Sequence, residues 1–461
     1  MSCNWPEFTI DELKAPTKGA IAMGPFGSRI KAENFVESGV PVLKGGNLHD
    51  AYINDSDCDF LTEEKADELK SSVVYEGDIV ITHRGTIGQV SIVSDESKYP
   101  RYVVSQSQLK ISLDKTKVNP YYVNYYLRSR LGQHQLLSFA SQVGVPAIAK
   151  ASTSVKQIRV PCPPLTVQDQ IVDFVRVIDR KYTNNSAVNQ TLEEMAQAIF
   201  KSWFVDFDPV KAKMAGEQPE GMDAATASLF PEKLVESELG LIPEGWEVKP
   251  LGDVSTFQNG FAFKSKELTT NAASATHKVF KMGNIRKGGG FNSKGSKDYF
   301  DLNSNPKVAR YLIKKGDLLM SMTDMKNNVA LLGHTALMPV SDEYLVNQRV
   351  GLIRKSDKHY LDYSFLYYQT NEPLFITDVR SRANSGVQVN LSTKGIKDTL
   401  LVVPPKEIHD AFDKQVRAFL EMIFANDQQS EELASLRDLL LPKLLSGEIE
   451  LGTSEELVEA I

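Results

Sequence analysis

Three groups of residues in this chain have side-chain types that catalysis uses, and none has the complete pattern. Asp78 followed by Glu96, Ser97 and Lys98 fits a D…ExK layout. In that layout two carboxylates hold a metal ion and a lysine sits near the attacking water. Asp317 stands in the same place in a second copy of the segment and has no ExK after it. Gly77-Asp78 and Gly316-Asp317 therefore read as turn residues ahead of strands. Asn119-Pro120-Tyr121-Tyr122 is close to an Asn-Pro-Pro-Tyr motif that grips a target amine, but the second proline is missing. No Gly-rich S-adenosylmethionine loop precedes it, and it reads as a helix start. The corresponding stretch of the second copy is Leu361-Asp362-Tyr363-Ser364. No GxxxxGK[ST] phosphate loop and no GxSxG elbow occurs. The seven histidines lack HxxxH spacing, and Cys3, Cys58 and Cys162 are isolated. A metal site and a disulfide framework are both unexpected. The chain reads as non-catalytic, binding no metal and no cofactor of its own.

The elements that would position any site are written twice. Val73 to Ser112, with its Glu76-Gly77-Asp78 turn, recurs at 311–354 around Lys315-Gly316-Asp317. Gly144-Val145 recurs as Gly386-Val387, and Pro163-Pro164 as Pro404-Pro405. After each proline pair comes a long apolar seam. The first runs through Ile171, Val175, Ile178 and Tyr182, then Leu192, Ala196, Ile199 and Trp203. The second runs through Phe412, Val416, Phe419 and Ile423, then Leu433, Leu440 and Leu444. Mixed three- and four-residue steps over this length predict two long coiled-coil helices. Both seams turn polar at their midpoints, at Asn185 and Asn189 and at Asn426 and Ser430. Antiparallel packing brings Asn185 to Asn426 in one polar layer that fixes register; a solvated kink in each helix is the alternative.

The expected order is a domain over 1–160, a central helix over 161–207, a linker over 208–243, a second domain over 244–400, a distal helix over 401–447 and an acidic tail over 448–461. The linker is rich in Pro, Gly, Ala and Glu, with a short helix expected around Ala224–Phe230. Each domain mixes β and α signals and is expected to be α/β with a curved, mainly antiparallel sheet.

Charge is unevenly spread. The net charge is −7. Segment 1–160 balances 18 basic against 18 acidic residues, while 244–400 has 22 against 15. The acidity sits in the helices, linker and tail, so one domain is basic enough to meet phosphates and the other is neutral. No apolar run approaches a membrane span, and Met1–Lys14 lacks the apolar core of a signal peptide. A cytoplasmic location is expected.

Several stretches in fixed order carry a family resemblance. They are Gly24-Pro25-Phe26-Gly27-Ser28, Gly39 through Asn47, Gly77-Asp78-Ile79-Val80 and Val160-Pro161-Cys162-Pro163-Pro164-Leu165. They continue with Ile199 through Phe207, Ile242-Pro243-Glu244-Gly245-Trp246 and Gly260 through Ser265. Together they resemble the specificity subunit of type I restriction–modification enzymes, over essentially the full length. One departure is that Asp169-Gln170 and His409-Asp410 stand where the family usually has Glu-Gln.

The resemblance implies an α/β chain with two target-recognition domains, similar to the DNA-reading domain of TaqI-type methyltransferases. Two long antiparallel coiled-coil helices would separate them in a pseudo-two-fold repeat. Each domain would read one half of a bipartite double-stranded DNA target, with the helices setting the unread spacer. Two modification subunits would bring S-adenosylmethionine and methylate adenine N6. Two restriction subunits would add a motor and nuclease that use ATP and Mg.

Base edges are read by side chains with fixed donor and acceptor geometry on loops at one edge of a domain. In the first copy, Arg84 and Thr86 lie on a loop between strands; Arg84 suits guanine O6 and N7 or a phosphate. The second copy has Lys326 and Asn327 there. Gln142 and Lys150 flank the first Gly-Val, and Arg380, Arg382, Asn384 and Gln388 the second. Arg380 and Arg382 alternate as if both faced phosphates. Lys44 and Asn47 form a third group, repeated as Lys281, Asn284, Arg286 and Lys287, the last leading into Gly288-Gly289-Gly290 as a flexible lead. Gln106 and Gln348 occupy matching positions near strand starts. Tyr125-Tyr126 and Tyr367-Tyr368 recur in helices, where core packing is favoured over base stacking.

Overall fold

The computed structural model describes residues 5–26, 29–141, 144–325, 329–385, 388–449 and 451. Two compact units form. The first joins Met1–Asn184 to Gln429–Ile461, and the second is Asn185–Gln428. Each holds one α/β head and one half of each long helix. The helices span Leu165–Phe204 and Lys406–Leu445.

Proline sets where both helices begin. Pro164 and Pro405 lie just before the first turn, and their carbonyls accept from the Val167 and Ile408 N–H groups. A buried side chain one turn in then ties each helix to its head. The Gln168 side-chain oxygen accepts from the Asn119 N–H at 2.9 Å, while its amide donates to the Pro163 carbonyl at 2.8 Å. At the repeated position His409 Nε2 accepts from the Asp362 N–H at 3.1 Å. Asn119 and Asp362 are in turn N-caps of the head helices Pro120–Arg128 and Tyr363–Asn371. The Asn-Pro-Tyr-Tyr stretch is thus a helix start, as its sequence suggests.

In the first unit a four-stranded antiparallel sheet runs in the order Ile21–Met23, Gln108–Ile111, Ile79–Thr82, Val90–Ile92. A second sheet is built around the parallel pair Val40–Leu43 and Tyr102–Val104. The head helix packs on the first sheet through Tyr122, Val123 and Leu127, all fully buried. The same core takes in Ile171, Val175 and Ile178 from one long helix and Leu433, Leu444 and Leu445 from the other. Asp179 meets Arg437 at 3.2 Å, and Ile171 shares a small cavity with Leu444, so the helical halves run antiparallel.

The second unit repeats this plan. Its four-stranded sheet is ordered Ser255–Asn259, Val350–Lys355, Leu318–Ser321, Thr335–Leu337, and His277–Phe280 pairs in parallel with Tyr344–Val346. An aromatic cluster joins both long helices to the head. Phe200 lies 5.6 Å from Phe365 and 5.9 Å from Phe412, and Phe204 lies 5.0 Å from each of those two rings. At the polar midpoint the Asn185 amide donates to the Asn426 carbonyl at 3.3 Å, and Asn426 Nδ2 donates to Asn189 Oδ1 at 2.8 Å. Asn189 Nδ2 completes the layer on Asp427 at 2.8 Å.

Two features differ from the sequence expectations. The helices bury wider stripes than a coiled-coil seam, because each also packs a head: Val172, Phe174, Phe200, Phe204, Ile408 and Leu420 are buried, whereas Tyr182 is exposed. Residues 208–243 also have more structure than a linker with one short helix. They form helices Asp208–Met214 and Ala224–Ser228 and a hairpin of Leu234–Ser237 with Gly240–Pro243. Val210, Phe230 and Ile242 are buried around Trp246.

Candidate nucleic-acid interface

In each head the three sequence clusters meet where several strands end. In the first, Leu43 pairs with Val104, and Ser105 donates its N–H to the Leu43 carbonyl at 3.0 Å. Thr82 pairs with Gln108. The loop after Thr82 is then zipped to the Gly-Val segment: Ile148 N–H donates to His83 O at 2.8 Å, Gly85 N–H to Pro146 O at 2.9 Å, and Arg84 bridges Ala147. His83 closes the group from below, with its N–H on the Ser107 carbonyl at 2.9 Å and Nε2 at 3.2 Å from the Gln106 carbonyl. Burial holds the His83 ring below its usual pKa and so favours the neutral form.

Arg84, Thr86, Gln106 and Lys150 are exposed, and among the described residues none of their side-chain polar atoms has a partner. Arg84 and Lys150 rim a cleft of about 440 Å³ whose walls include Met23, Val145, Ala147 and Ile148. Lys150 sits at φ 44°, a left-handed geometry. Gln142 lies outside the described residues.

In the second head Asn347 donates its N–H to the Phe280 carbonyl at 3.1 Å, and Thr323 Oγ1 contacts Met282 Sδ at 3.0 Å. Strand Gln388–Asn390 pairs with both Thr323–Met325 and Asn384–Ser385 in a three-stranded ribbon. Gln348, Asn384 and Asn390 are exposed there, and Gln388 is half-buried. Lys326 and Asn327 lie outside the described residues.

Several expected contacts have other work. Asn284 is fully buried: its side-chain oxygen accepts from the Lys281 N–H at 2.9 Å and its amide donates to the Asn292 carbonyl at 2.8 Å. Asn47 does the same with the Lys44 N–H and the Asn54 carbonyl, both at 2.8 Å. Both asparagines are corrected from base readers to loop clasps. Lys44 and Lys281 stay at the edge but pair with Asp59 and Asp298. Arg380 is an anchor: its Nε donates to the Leu332 carbonyl at 2.9 Å, and burial lowers its pKa against the pull of Asp324. Arg382 pairs with Asp378 at 3.1 Å. Of the glycine run 288–290, Gly288 is exposed, whereas Gly289 and Gly290 are packed. Gly289 adopts φ 104°, and a Cβ there would lie 2.5 Å from Asn371 Oδ1. Arg286, just before the run, lies near enough to Glu193 on the long helix to favour its charged form, and Lys287 is exposed.

The weighed catalytic groups are also taken up by the fold. Asp78 caps its own turn by accepting the Tyr75 N–H at 2.9 Å, Glu96 pairs with Arg180 at 2.7 Å, and Lys98 lies over the Tyr99 ring at 5.4 Å. Among the described residues no three His, Cys, Asp or Glu side chains group as a metal ion would need. Tyr125, Tyr126, Tyr367 and Tyr368 are all buried. Sequence reasoning missed Arg349, exposed and without a side-chain partner among the described residues. Its signal was the alignment of Asn347-Gln348-Arg349 with Ser105-Gln106-Ser107.

The comparisons agree with this two-headed plan. The family model described as type I restriction modification DNA specificity domain matches twice, over residues 25–194 and 243–435. The HindI specificity subunit of Haemophilus influenzae is 28% identical over 336 residues, covering 64% of this chain and 70% of its own length. The MjaIX specificity subunit of Methanocaldococcus jannaschii is 26% identical over 396 residues, covering 84% and 81%. A crystal structure of the S subunit of a type I restriction-modification system from M. genitalium has a similar fold, with a TM-score of 0.57 at 16% identity over 96% of each chain. Two repeated heads, each with an edge of exposed polar side chains, and a family match over most of the chain lead to one conclusion: the chain belongs to the type I restriction modification DNA specificity family, whose members recognise DNA targets without catalysing a reaction.

Proposed function

We propose that each head reads one half of a bipartite double-stranded DNA target through this edge. The supporting observation is that both heads carry the same strand-end framework while the free side chains on it differ. Thr86 and Gln106 would read one half, with Arg84 and Lys150 on its phosphates, and Gln348, Asn384 and Gln388 would read the other. A shared frame with different contacts suits a chain that must recognise two unlike sequences.

The chain brings no chemistry to that target. Its role is to position two modification subunits, which carry S-adenosylmethionine and methylate adenine N6, together with two restriction subunits that use ATP and Mg. No described helix is long and apolar enough to cross a membrane, and cytoplasmic DNA is the natural substrate of such an assembly.

The test is a domain exchange in a host expressing the chain with its modification partner. Replacing residues 244–400 with those of a relative is expected to change one half of the methylated motif and leave the other intact. A change in both halves would show that the heads do not read independently. Methylation by the purified chain alone, given S-adenosylmethionine and DNA, would overturn the non-catalytic role.

A further inference from the structure

We propose that Arg349 reads a guanine in the half-target of the second head, an assignment that rests on the edge being the DNA-reading surface. Arg349 closes the turn Asn347–Gln348–Arg349 between strands Tyr344–Val346 and Val350–Lys355. Five of the six backbone N–H and C=O groups of this turn are hydrogen-bonded among the described residues. Asn347 N–H donates to Phe280 O at 3.1 Å, Gln348 N–H to Phe261 O at 2.9 Å, and Val350 N–H to Asn347 O at 2.9 Å. The Arg349 N–H donates to the Asn347 side-chain oxygen at 3.3 Å, and the Arg349 carbonyl accepts from Met322 N–H at 3.0 Å. Gly260 presses on the turn so closely that a Cβ there would lie 2.1 Å from the Asn347 carbonyl oxygen. The Cα of Arg349 is therefore held from three sides while its guanidinium stays exposed.

The first head has the same locked turn at Ser105–Gln106–Ser107. Ser105 N–H donates to Leu43 O at 3.0 Å, Gln108 N–H to Ser105 O at 3.0 Å, and His83 N–H to Ser107 O at 2.9 Å. Gly24 presses on it as Gly260 does on the other, with a Cβ position 1.8 Å from the Ser105 carbonyl oxygen. The middle residue is glutamine in both turns, and the last is serine in one and arginine in the other. A fixed backbone whose first and last side chains are exchanged is what selective readout needs, because a base contact depends on placement and a phosphate contact far less. An arginine fork presents two parallel N–H groups to guanine O6 and N7. The adjacent Gln348 is a neutral amide, whose paired donor and acceptor suit base edges better than phosphates.

The experiment maps methylated adenines genome-wide in a host carrying the chain with its modification partner, comparing wild type with Arg349→Ala and Arg349→Lys. Because the side chain has no partner among the described residues, both variants should melt at the wild-type temperature. Arg349→Ala is expected to relax one G·C position in one half of the motif, with preference there falling about 5- to 150-fold, and to leave the other half unchanged. Arg349→Lys should recover only part of it, since the fork is lost. An unchanged motif would overturn the assignment. So would uniformly weaker methylation with a salt dependence of binding reduced by about one unit, the mark of a phosphate contact. Failure of the wild-type complex to give any bipartite motif would instead overturn the reading of the edge itself.

Discussion

Asn284→Ala separates a clasp from a base contact more cleanly than any other single change. The Asn284 side chain is wholly buried, accepting from one backbone N–H at 2.9 Å and donating to one carbonyl at 2.8 Å. Alanine removes both bonds; the Asn292 carbonyl keeps the Gly295 N–H at 3.2 Å, while the Lys281 N–H is left without a partner among the described residues. A lost hydrogen bond costs about 0.5–1.5 kcal/mol net, and a stranded buried group about 1–3 kcal/mol. The Lys281 N–H is only part-buried, so water recovers some of this, and about 2–4 kcal/mol is the expected loss. The second unit runs from Asn185 to Gln428, a size at which each kcal/mol moves Tm by about 2–4 °C. Scanning calorimetry of the full chain should therefore show a transition lowered by about 4–16 °C. Asn284→Asp keeps the acceptor but sets a buried carboxylate oxygen against the Asn292 carbonyl, so it should be at least as destabilising as alanine. The letters of the methylated motif should not change in either variant, although its occupancy should fall as the edge loosens. An unmoved transition together with one relaxed base position would refute the clasp and restore Asn284 as a reader.

Three further outcomes are expected. Phe412→Ala empties a fully buried site between Phe200, Phe204 and Phe365. It should cost about 3–5 kcal/mol, seen in calorimetry as a drop of about 6–20 °C in the same transition. Arg84→Ala and Lys150→Ala, at the cationic rim of the first head's cleft, should each weaken DNA binding at every sequence and lower the slope of log K against log salt by ~0.9. Gel retardation from ~50 to ~200 mM salt checks this, and an unchanged slope would remove either residue from the phosphate track. Glu193 is the pH-sensitive group. Burial raises its pKa above the ordinary 4.5, with Gln197, Tyr368 and Arg286 opposing. The folded state therefore holds this proton more tightly than the unfolded chain, so the contribution to stability is full below 4.5 and is lost as pH rises through the raised value. Glu193→Gln should flatten that part of a Tm-against-pH curve and stabilise the chain at neutral pH.

The fold was legible where repetition and proline marked it. Pro163-Pro164 and Pro404-Pro405 announce the two helices, and the doubled Gly-Asp turns announce two like heads. The width of the helix stripes was not, because Phe200, Phe204 and Ile408 face a head whose position no periodicity encodes. Residues 208–243 have linker composition, yet Val210 and Phe230 pack on Trp246 through contacts distant in sequence. At the edge, the Arg84 loop and the Gly-Val segment were each legible, but not their pairing. Lys-Gly-Gly-Asn and Lys-Met-Gly-Asn look like solvated polar loops, while a single 3-10 turn folds each asparagine back onto its own lysine N–H. Arg380 and Arg382 looked like alternating residues that both face phosphates. They instead end helix Pro373–Ser381, where four-residue spacing gives Arg382 to Asp378.

The division of the chain has a consequence for synthesis. The second unit is one unbroken stretch, whereas the first draws on Met1–Asn184 and again on Gln429–Ile461. During translation the later-made head has everything it needs first. The earlier-made one waits, with Ile171, Val175 and Ile178 lacking Leu433, Leu444 and Leu445, until the last helical segment leaves the ribosome. For that interval the nascent polypeptide carries an uncovered greasy stripe, the kind of surface chaperones bind. A premature stop after Gln428 would strand the first-made half in that sticky state and mark it for proteolysis.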